Sequence, residues 1–227
     1  MTQFVERLRA FEERCAAAMP SLKCSVHLCK GQEIVPEILH ENLRPQDWLF
    51  STHRNHGHYL AKGGSEEKLW DEILGKTSGV NGGFSGSQSY CDTRINFHCT
   101  AIVGGLIGVA TGTALALKLC GSPHRVVCCI GDAATEQGIF WESANFAALH
   151  KLPILFVCEN NRLSVHAPIR SRQASPIALR AHAFGLRVYR SPKGLRKAFA
   201  EGRLPAFAEV SVSRDCNHVS AMEDLRE

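Results

Sequence analysis

Short apolar runs alternate with helical patterns through the second half of the chain. The run at 125–130 is rich in Val and Cys, residues 138–150 carry apolar side chains at helical spacing, and 153–158 form another apolar run. Strand, helix and strand joined by short connections make a βαβ unit, in which the two strands are parallel. Further strands are predicted over 186–189 and 206–212. The pattern therefore predicts an α/β domain built on a parallel sheet.

The remaining predicted elements are helices and two polar loops. Helices are predicted over residues 2–18, 33–41, 65–74, 102–120 and 174–184. Residues 51–64 are crowded with His and Gly and are predicted to form a polar loop. A second loop, 75–94, is rich in Gly, Ser and Asn. A loop of about 20 residues inside a compact domain is usually functional or mobile.

The composition fits one sizeable globular domain and argues against two classes of partner. The 227 residues are 44% hydrophobic and 21% charged, as in an ordinary soluble protein. A net charge of +4 is too small and too scattered for nucleic-acid binding, and the basic residues between 187 and 197 are interpreted as a solvated face. Residues 101–117 carry no charge, but the segment is short for a membrane span and rich in Gly and Thr. We interpret it as part of a buried interface helix rather than a membrane helix.

The ten cysteines indicate a reducing environment rather than a disulfide framework or a zinc site. No two of them have C-x-x-C spacing, and Cys128, Cys129 and Cys158 lie in apolar runs. Cysteine behaves there as a small buried hydrophobic residue. The N-terminal residues are charged and helical in pattern, unlike a signal peptide. Cytoplasmic localisation is therefore expected.

Polar residues follow both strands of the βαβ unit. Asp132 comes just after the first strand, and Asn160 and Asn161 follow the second. Ligands bind beyond the carboxyl ends of parallel strands, so these side chains should meet at one sheet edge. Carboxylate and amide oxygens suit Mg²⁺, which takes its other ligands from phosphate and water, and the start of the intervening helix favours phosphate. On the residues alone, an alternative stays open in which Asp132 caps a helix and the Asn pair forms a turn.

A longer resemblance starts from the segment GDAATEQGIFWESANFAALHKLPILFVCENN at 131–161. It is similar to the thiamine diphosphate motif, which opens with Gly-Asp-Gly and closes with Asn-Asn. Its internal residues resemble those of alpha subunits of the decarboxylating first component of 2-oxo acid dehydrogenases, of the pyruvate, branched-chain and acetoin types. Other segments that carry the resemblance are GQE at 31–33, HRNHGHYLAKGG at 53–64, AIVGGLIGVATGTALA at 101–116 and RDCNHVSAMEDL at 214–225.

The resemblance implies a thiamine diphosphate-binding fold, with a parallel sheet flanked by helices on both faces. Residues 1–227 would form a single diphosphate-binding (PP-type) domain that is short at its C-terminus relative to the family. The resemblance also implies a Mg²⁺ ion, held by the side chains of Asp132 and Asn161 and by the backbone carbonyl of Leu163.

Contacts with thiamine diphosphate are implied for further residues. Arg54 would bind the diphosphate, with His53 beside it where the family usually has Tyr. The residues implied to act through their backbone are Gly131, Ala133 and Ala134 at the diphosphate, and Ala101 and Val103 at the aminopyrimidine.

The implied reaction is the decarboxylation of a small-molecule 2-oxo acid, followed by transfer of the acyl or aldehyde unit to a lipoyl or other acyl acceptor. His56 and His218 would face the thiazolium on the substrate side, as acid–base or charge-stabilising groups. In the family, the carboxylate that activates the aminopyrimidine lies on the beta subunit. We therefore expect a beta-type partner that carries the pyrimidine-binding domain and the activating Glu, in an α2β2 heterotetramer.

Several positions depart from the family pattern. Ala133 replaces the second Gly of Gly-Asp-Gly, where a Cβ can weaken phosphate binding or be tolerated if φ is negative. Ser89 replaces a His that many relatives have, and His53 and Leu163 each replace Tyr. Two alternatives therefore stay open beside the dehydrogenase subunit. One is a half-transketolase or acyloin-forming subunit that joins carbon units in a specialised pathway, and the other is a non-catalytic scaffold.

Overall fold

A seven-stranded sheet forms the centre of the computed structural model, which describes residues 1–216 and residue 218. The strands of this sheet are β1 (Trp48–Ser51), β2 (Cys91–Asp92), β3 (Phe97–Cys99), β4 (Val126–Gly131), β5 (Ile154–Asn160), β8 (Arg187–Arg190) and β9 (Ala206–Ser211). The order is β2-β3-β1-β4-β5-β9-β8, and every neighbouring pair is parallel except β2 and β3. A separate antiparallel hairpin consists of β6 (Leu163–Ser164) and β7 (Ala167–Pro168).

Helices cover both faces of the sheet. They are α1 (Gln3–Ala18), α2 (Ile34–Asn42), α3 (His56–Ala61), α4 (Glu66–Ile73), α5 (Ile107–Leu119), α6 (Gly138–Leu149), α7 (Ile177–Ala183) and α8 (Ser191–Glu201). Successive strand residues point to opposite faces. Val127 and Cys129 of β4 pack in one apolar cluster with α1, α2, α3, α4 and α8. Val126, Cys128 and Ile130 pack in a second cluster with α5, α6 and α7. The predicted α/β class with a flanked, mostly parallel sheet is confirmed.

The predicted βαβ unit places the ends of two central strands side by side. It consists of β4, α6 and β5, and the parallel register of β4 and β5 runs from the pair Val126–Ile154 to the pair Gly131–Glu159. Asp132 follows β4 in a short 3-10 helix that spans Asp132–Glu136 and leads towards α6. Asp132 and Asn161 therefore leave adjacent strands at the same edge of the sheet.

The predicted polar loop at 51–64 is wrong, because residues 56–61 in its centre form the buried helix α3. Gly57 permits a close approach of α3 to α1 and α2. A Cβ at this position would lie 2.6 Å from Cγ of Pro36 and 3.1 Å from Cδ2 of Leu8. His56 and His58 lie in the interior because buried polar groups contact their rings. The polarity of the segment by itself gives no sign of these partners.

The helix predicted over 102–120 is shorter, because α5 begins at Ile107. The preceding residues form turns, and Gly104 has a left-handed backbone with φ of 78°, which a right-handed helix cannot include. Within the part of the chain that the structure describes, no helix is long and apolar enough to cross a membrane. The basic stretch between 187 and 197, predicted as a solvated face, enters α8, whose buried residues are Leu195, Ala198 and Phe199.

All ten cysteines are free. Cys128, Cys129 and Cys158 are buried in the central strands, as the sequence predicted. Most of the segment 214–225, which resembles an active-site loop, lies outside the described residues; Arg214, Asp215, Cys216 and His218 are within them.

Candidate cofactor site

A cavity of about 250 Å³ lies beyond the carboxyl ends of β1, β4 and β5. The predicted site residues that line it are His53, Arg54, Ala101, Val103, Gly131, Asp132, Ala133, Ala134, Asn161, Leu163 and His218. These residues come from five separate parts of the sequence, and the fold brings them to one place. His56 is the predicted site residue that does not line the cavity.

Asp132 contributes a buried carboxylate to the cavity wall. The residue is 1% exposed, and its Oδ2 accepts a hydrogen bond of 2.7 Å from Nη2 of Arg172. Its backbone carbonyl accepts from Oγ1 of Thr135 at 2.7 Å and from Nε2 of Gln173 at 3.1 Å. Burial raises the pKa of Asp132 above its ordinary value, although Arg172 acts in the opposite direction. The guanidinium of Arg172 therefore fixes the Asp132 side chain through one of its two carboxylate oxygens.

The two asparagines after β5 have different environments. Asn161 lines the cavity, and its Oδ1 accepts from the backbone N–H of Leu163 at 2.9 Å. Asn160 faces away, because its Nδ2 donates to Oε1 of Glu209 at 2.7 Å and its Oδ1 accepts from the N–H of Arg162. Both asparagines thus stabilise the turn that leads into β6. An amide oxygen has two lone pairs, so the turn formed by Asn161 leaves room for a second contact at Oδ1.

The oxygen donors in the cavity fit the implied Mg²⁺ ion. Asp132, Asn161 and Leu163 line the same space, and the hard oxygen donors that they offer, a carboxylate, an amide oxygen and a backbone carbonyl, suit Mg²⁺. Among residues 1–216 and 218, no group of three or more His, Cys, Asp or Glu side chains is arranged to hold a metal. Ala133 is not among the residues with positive φ, so its Cβ causes no backbone strain at the position predicted to contact the diphosphate.

Residues 101–103, which are predicted to hold the aminopyrimidine, form an exposed turn at the edge of the cavity. The N–H of Ala101 donates to Oγ of Ser89 at 2.9 Å, and the carbonyl of Val103 accepts from Nε2 of Gln137 at 2.7 Å. Ile102 and Val103 are 69% and 42% exposed. Hydrogen bonds from its backbone to the side chains of Ser89 and Gln137 thus hold the turn in place, although its own apolar side chains remain exposed to solvent.

Three imidazole rings cluster at the cavity wall. The ring centre of His27 lies 4.9 Å from that of His53 and 5.0 Å from that of His218. Burial, followed by the charge of Arg54, lowers the pKa of both His27 and His53 to about 3. These two rings are neutral near pH 7. Arg54 and Arg214, which also line the cavity, provide positive charge beside them.

His58 is buried behind the residues of the cavity wall. His58 Nδ1 lies 2.8 Å from Oγ of Ser51, and its Nε2 lies 3.2 Å from Oε2 of Glu159, at ion-pair distance. Burial alone would lower the pKa of His58, but Cys129 and Glu159 outweigh this and raise it well above the ordinary value. Ser51, Cys129 and Glu159 all interact with His58 and also line the cavity, so they connect its ring to the cavity surface.

Comparison with known proteins decides the family. The sequence profile described as "Dehydrogenase E1 component" matches residues 5–189, which is most of the chain. The chain belongs to the dehydrogenase E1 component family. The alpha subunit of acetoin:2,6-dichlorophenolindophenol oxidoreductase from Bacillus subtilis is 33% identical to it over 233 residues, covering 96% of this chain and 70% of that one.

Other relatives of this E1 component chain are longer than it is. The alpha subunit of the pyruvate dehydrogenase E1 component from Porphyra purpurea is 37% identical over 189 residues, covering 78% of this chain and 55% of that one. The chain thus spans about half the length of that relative. Transketolase from Campylobacter jejuni has a similar fold, with a TM-score of 0.70 and 17% identity, and the match covers 93% of this chain and 38% of that one.

His56 of this E1 component chain lies behind the cavity wall rather than in it. We predicted that it faces the substrate, but it is fully buried, with Nδ1 2.6 Å from Oε1 of Glu12 and Nε2 2.7 Å from Oγ of Ser87. Ser87 precedes Gln88, which lines the cavity and lies 2.8 Å from Nδ1 of His27. The placement of His56 is thus corrected. It can support the wall through Ser87, but it does not reach the cavity.

Sequence reasoning missed other site residues of the E1 component chain. His27 and Glu159 line the cavity, and Arg172 binds Asp132. Glu159 comes directly before the Asn pair, so its position at the end of a strand was a usable signal. His27 and Arg172 lie in segments without a clear periodic pattern, and their contacts with the site depend on the tertiary fold.

Proposed function

We propose that this chain is the alpha-type subunit of a thiamine diphosphate- and Mg²⁺-dependent enzyme that decarboxylates a 2-oxo acid and transfers the acyl or aldehyde unit. The observation that carries the proposal is the shared cavity of Asp132 and Asn161, which leave adjacent strands and face the same space as Arg54. An anionic group with a divalent cation is the ligand that these charges suit. The chain would act as one diphosphate-binding domain.

Each part of the cavity has a role in this proposal. Asp132, Asn161 and the carbonyl of Leu163 would hold Mg²⁺. The residues assigned to the diphosphate are His53, Arg54, Gly131, Ala133 and Ala134, and those assigned to the aminopyrimidine are Ala101 and Val103. When bound, thiamine diphosphate supplies a nucleophilic carbon and an electron sink for decarboxylation. His218 would serve the substrate side as an acid–base or charge-stabilising group, and His56 would position the wall through Ser87.

The proposal includes a beta-type partner in an α2β2 heterotetramer. The relatives named above are alpha subunits, and the exposed apolar turn at the cavity edge favours cover by another chain. The partner would bring the pyrimidine-binding domain and the activating Glu. A lipoyl group or another acyl acceptor would take the product, and the free cysteines favour a reducing cytoplasm.

Binding of the cofactor tests the proposal directly. The full chain, co-expressed with its beta-type partner, is titrated with thiamine diphosphate in the presence and absence of Mg²⁺ by calorimetry. We expect saturable binding that requires Mg²⁺. We also expect Asp132→Asn to weaken it at least about tenfold, the equivalent of about 1.4 kcal/mol. Glu67→Gln, an exposed change on α4 that removes the same charge, is the matched control.

Two results would reject parts of this proposal. The absence of saturable binding to the wild-type complex would favour a non-catalytic scaffold. Cofactor binding with carbon–carbon bond formation, and with no transfer of the acyl unit to a lipoyl or other acyl acceptor, would favour the half-transketolase or acyloin-forming alternative.

A further inference from the structure

Arg172 holds the Asp132 carboxylate without lining the cavity itself. Its Nη2 donates to Oδ2 of Asp132 at 2.7 Å, but Arg172 is not among the residues that line the cavity. The side chains of Arg172 and Asp132 are 10% and 2% exposed. A charge-assisted hydrogen bond that is this well shielded from water fixes the direction of the carboxylate.

The same guanidinium binds two other groups. Its Nη1 pairs with the carboxylate of Glu136, and its Nε donates to the carbonyl of Ala167 at 3.0 Å. Ala167 belongs to β7, which pairs with β6, the strand that begins at Leu163. One side chain therefore ties Asp132 to the hairpin that carries the carbonyl of Leu163.

We propose that Arg172 is a positioning residue for the metal. It occupies Oδ2 of Asp132, leaves the other carboxylate oxygen for the ion, and sets the spacing between Asp132 and Leu163. This inference rests on the proposed function, because that function assigns the metal to these two residues. Glu136 offsets the charge of Arg172, so the pair leaves the negative charge of Asp132 available to a cation. Mutation of a residue that orients a metal ligand typically lowers the affinity for the metal by about 10–100-fold.

The Mg²⁺ dependence of cofactor binding tests this inference without any measurement of turnover. Binding to the full chain with its beta-type partner is measured by calorimetry at saturating thiamine diphosphate while Mg²⁺ is varied. Arg172→Gln removes all three contacts of the guanidinium. Arg172→Lys keeps the charge but lacks the planar fork that reaches three groups at once. Arg187→Gln, an exposed change on the edge strand β8, removes the same charge elsewhere.

We expect the Mg²⁺ concentration at half-saturation to rise about 10–100-fold in Arg172→Gln, to rise also in Arg172→Lys, and to stay unchanged in Arg187→Gln. At saturating Mg²⁺, Arg172→Lys should match the wild type in thiamine diphosphate affinity and in melting temperature. This separates metal positioning from a general structural role, and Arg172→Lys carries the test if Arg172→Gln does not fold.

Three results would overturn the inference. The first is an unchanged or lower Mg²⁺ requirement in the Arg172 variants. The second is a parallel loss of Mg²⁺ affinity, cofactor affinity and melting temperature in Arg172→Lys, which would make Arg172 a structural residue. The third is a wild-type complex that shows no Mg²⁺-dependent binding, which would remove the proposed function together with the inference. The first two leave the proposed function intact.

Discussion

At the scale of single residues, His56 is held at both ring nitrogens inside the protein. Glu12 contacts one nitrogen, and Ser87 contacts the other. Glu12 also accepts a hydrogen bond of 2.5 Å from the backbone N–H of Cys29, so its two carboxylate oxygens are both engaged. A buried carboxylate that loses one hydrogen-bond partner keeps the cost of its desolvation, which exceeds the net gain from an ordinary hydrogen bond.

We therefore expect His56→Gln to lower the free energy of unfolding by about 1–3 kcal/mol, the cost of leaving a buried hydrogen-bonding group without its partner. Ser87→Ala, which removes one hydrogen bond from the same ring, should cost about 1 kcal/mol. Urea denaturation of the two variants measures both values. If His56→Gln kept its stability and lost only turnover, the residue would act on the substrate, and its assignment to the wall would be wrong.

The residues of the site were not equally accessible to prediction. Asp132 and Asn161 could be predicted because each follows a strongly apolar strand, and parallel strands end at a common edge. The placement of His56 could not be predicted, since Glu12 and His56 are 44 positions apart and only the fold brings them together. Arg172 is likewise 40 positions from Asp132.

At the scale of elements, the packing of α3 depends on the missing side chain of Gly57. The helix lies against α1 and α2 so closely that a Cβ at Gly57 would lie 2.6 Å from Cγ of Pro36, which is closer than van der Waals contact allows. Gly112 offers a matched comparison in α5, because no heavy atom lies within 4 Å of the position that its Cβ would take.

We expect Gly57→Ala to destabilise the chain by about 1–3 kcal/mol, through overpacking between helices. Gly112→Ala should be neutral or stabilise by up to about 1 kcal/mol, because alanine is the better helix former. Thermal unfolding of the chain without its partner measures both changes. Equal effects of the two substitutions would show that α3 adjusts its position and that Gly57 is not required for the packing.

Elements with a long, regular apolar pattern were predictable, and short or partly polar ones were not. The strands β4 and β5, and the helices α1 and α6, follow the predicted patterns within a few residues. The strand β1 has four residues, which is too few for a period to be recognised. The helix α3 contains His at two of six positions, so its burial is hidden from any analysis of hydrophobicity.

At the scale of the whole molecule, the imidazole cluster links folding to pH. His27 and His53 have pKa values of about 3 in the folded chain, because burial and then Arg54 oppose a positive charge on their rings. The ordinary value is 6.5. As the pH falls from about 6.5 to about 3, the unfolded chain takes up protons at these rings and the folded chain does not. These residues therefore stabilise the fold less as the solution becomes acidic.

We expect His53→Gln to gain about 1–2 kcal/mol of stability relative to the wild type when the pH changes from 7 to 5. The change removes a ring that the unfolded wild type protonates, while glutamine does not titrate. Urea denaturation at the two pH values gives this difference. A gap between variant and wild type that is the same at both values would mean that the ring already titrates normally in the folded chain.

The ten free thiols make up a graded series of alkylation sites. Cys120 is exposed and reacts without any opening, whereas Cys128, Cys129 and Cys158 are reached only when the central strands separate. Burial also raises the pKa of these three thiols, which keeps them protonated and poorly nucleophilic. Cys128 and Cys129 point to opposite faces of the sheet. Alkylation of Cys129 therefore reports that the helices α1, α2, α3, α4 and α8 have detached, and alkylation of Cys128 reports the same for α5, α6 and α7. Pulse alkylation followed by mass spectrometry can thus distinguish the detachment of one helical layer from global unfolding, and the reporters are cysteines that the native chain already contains.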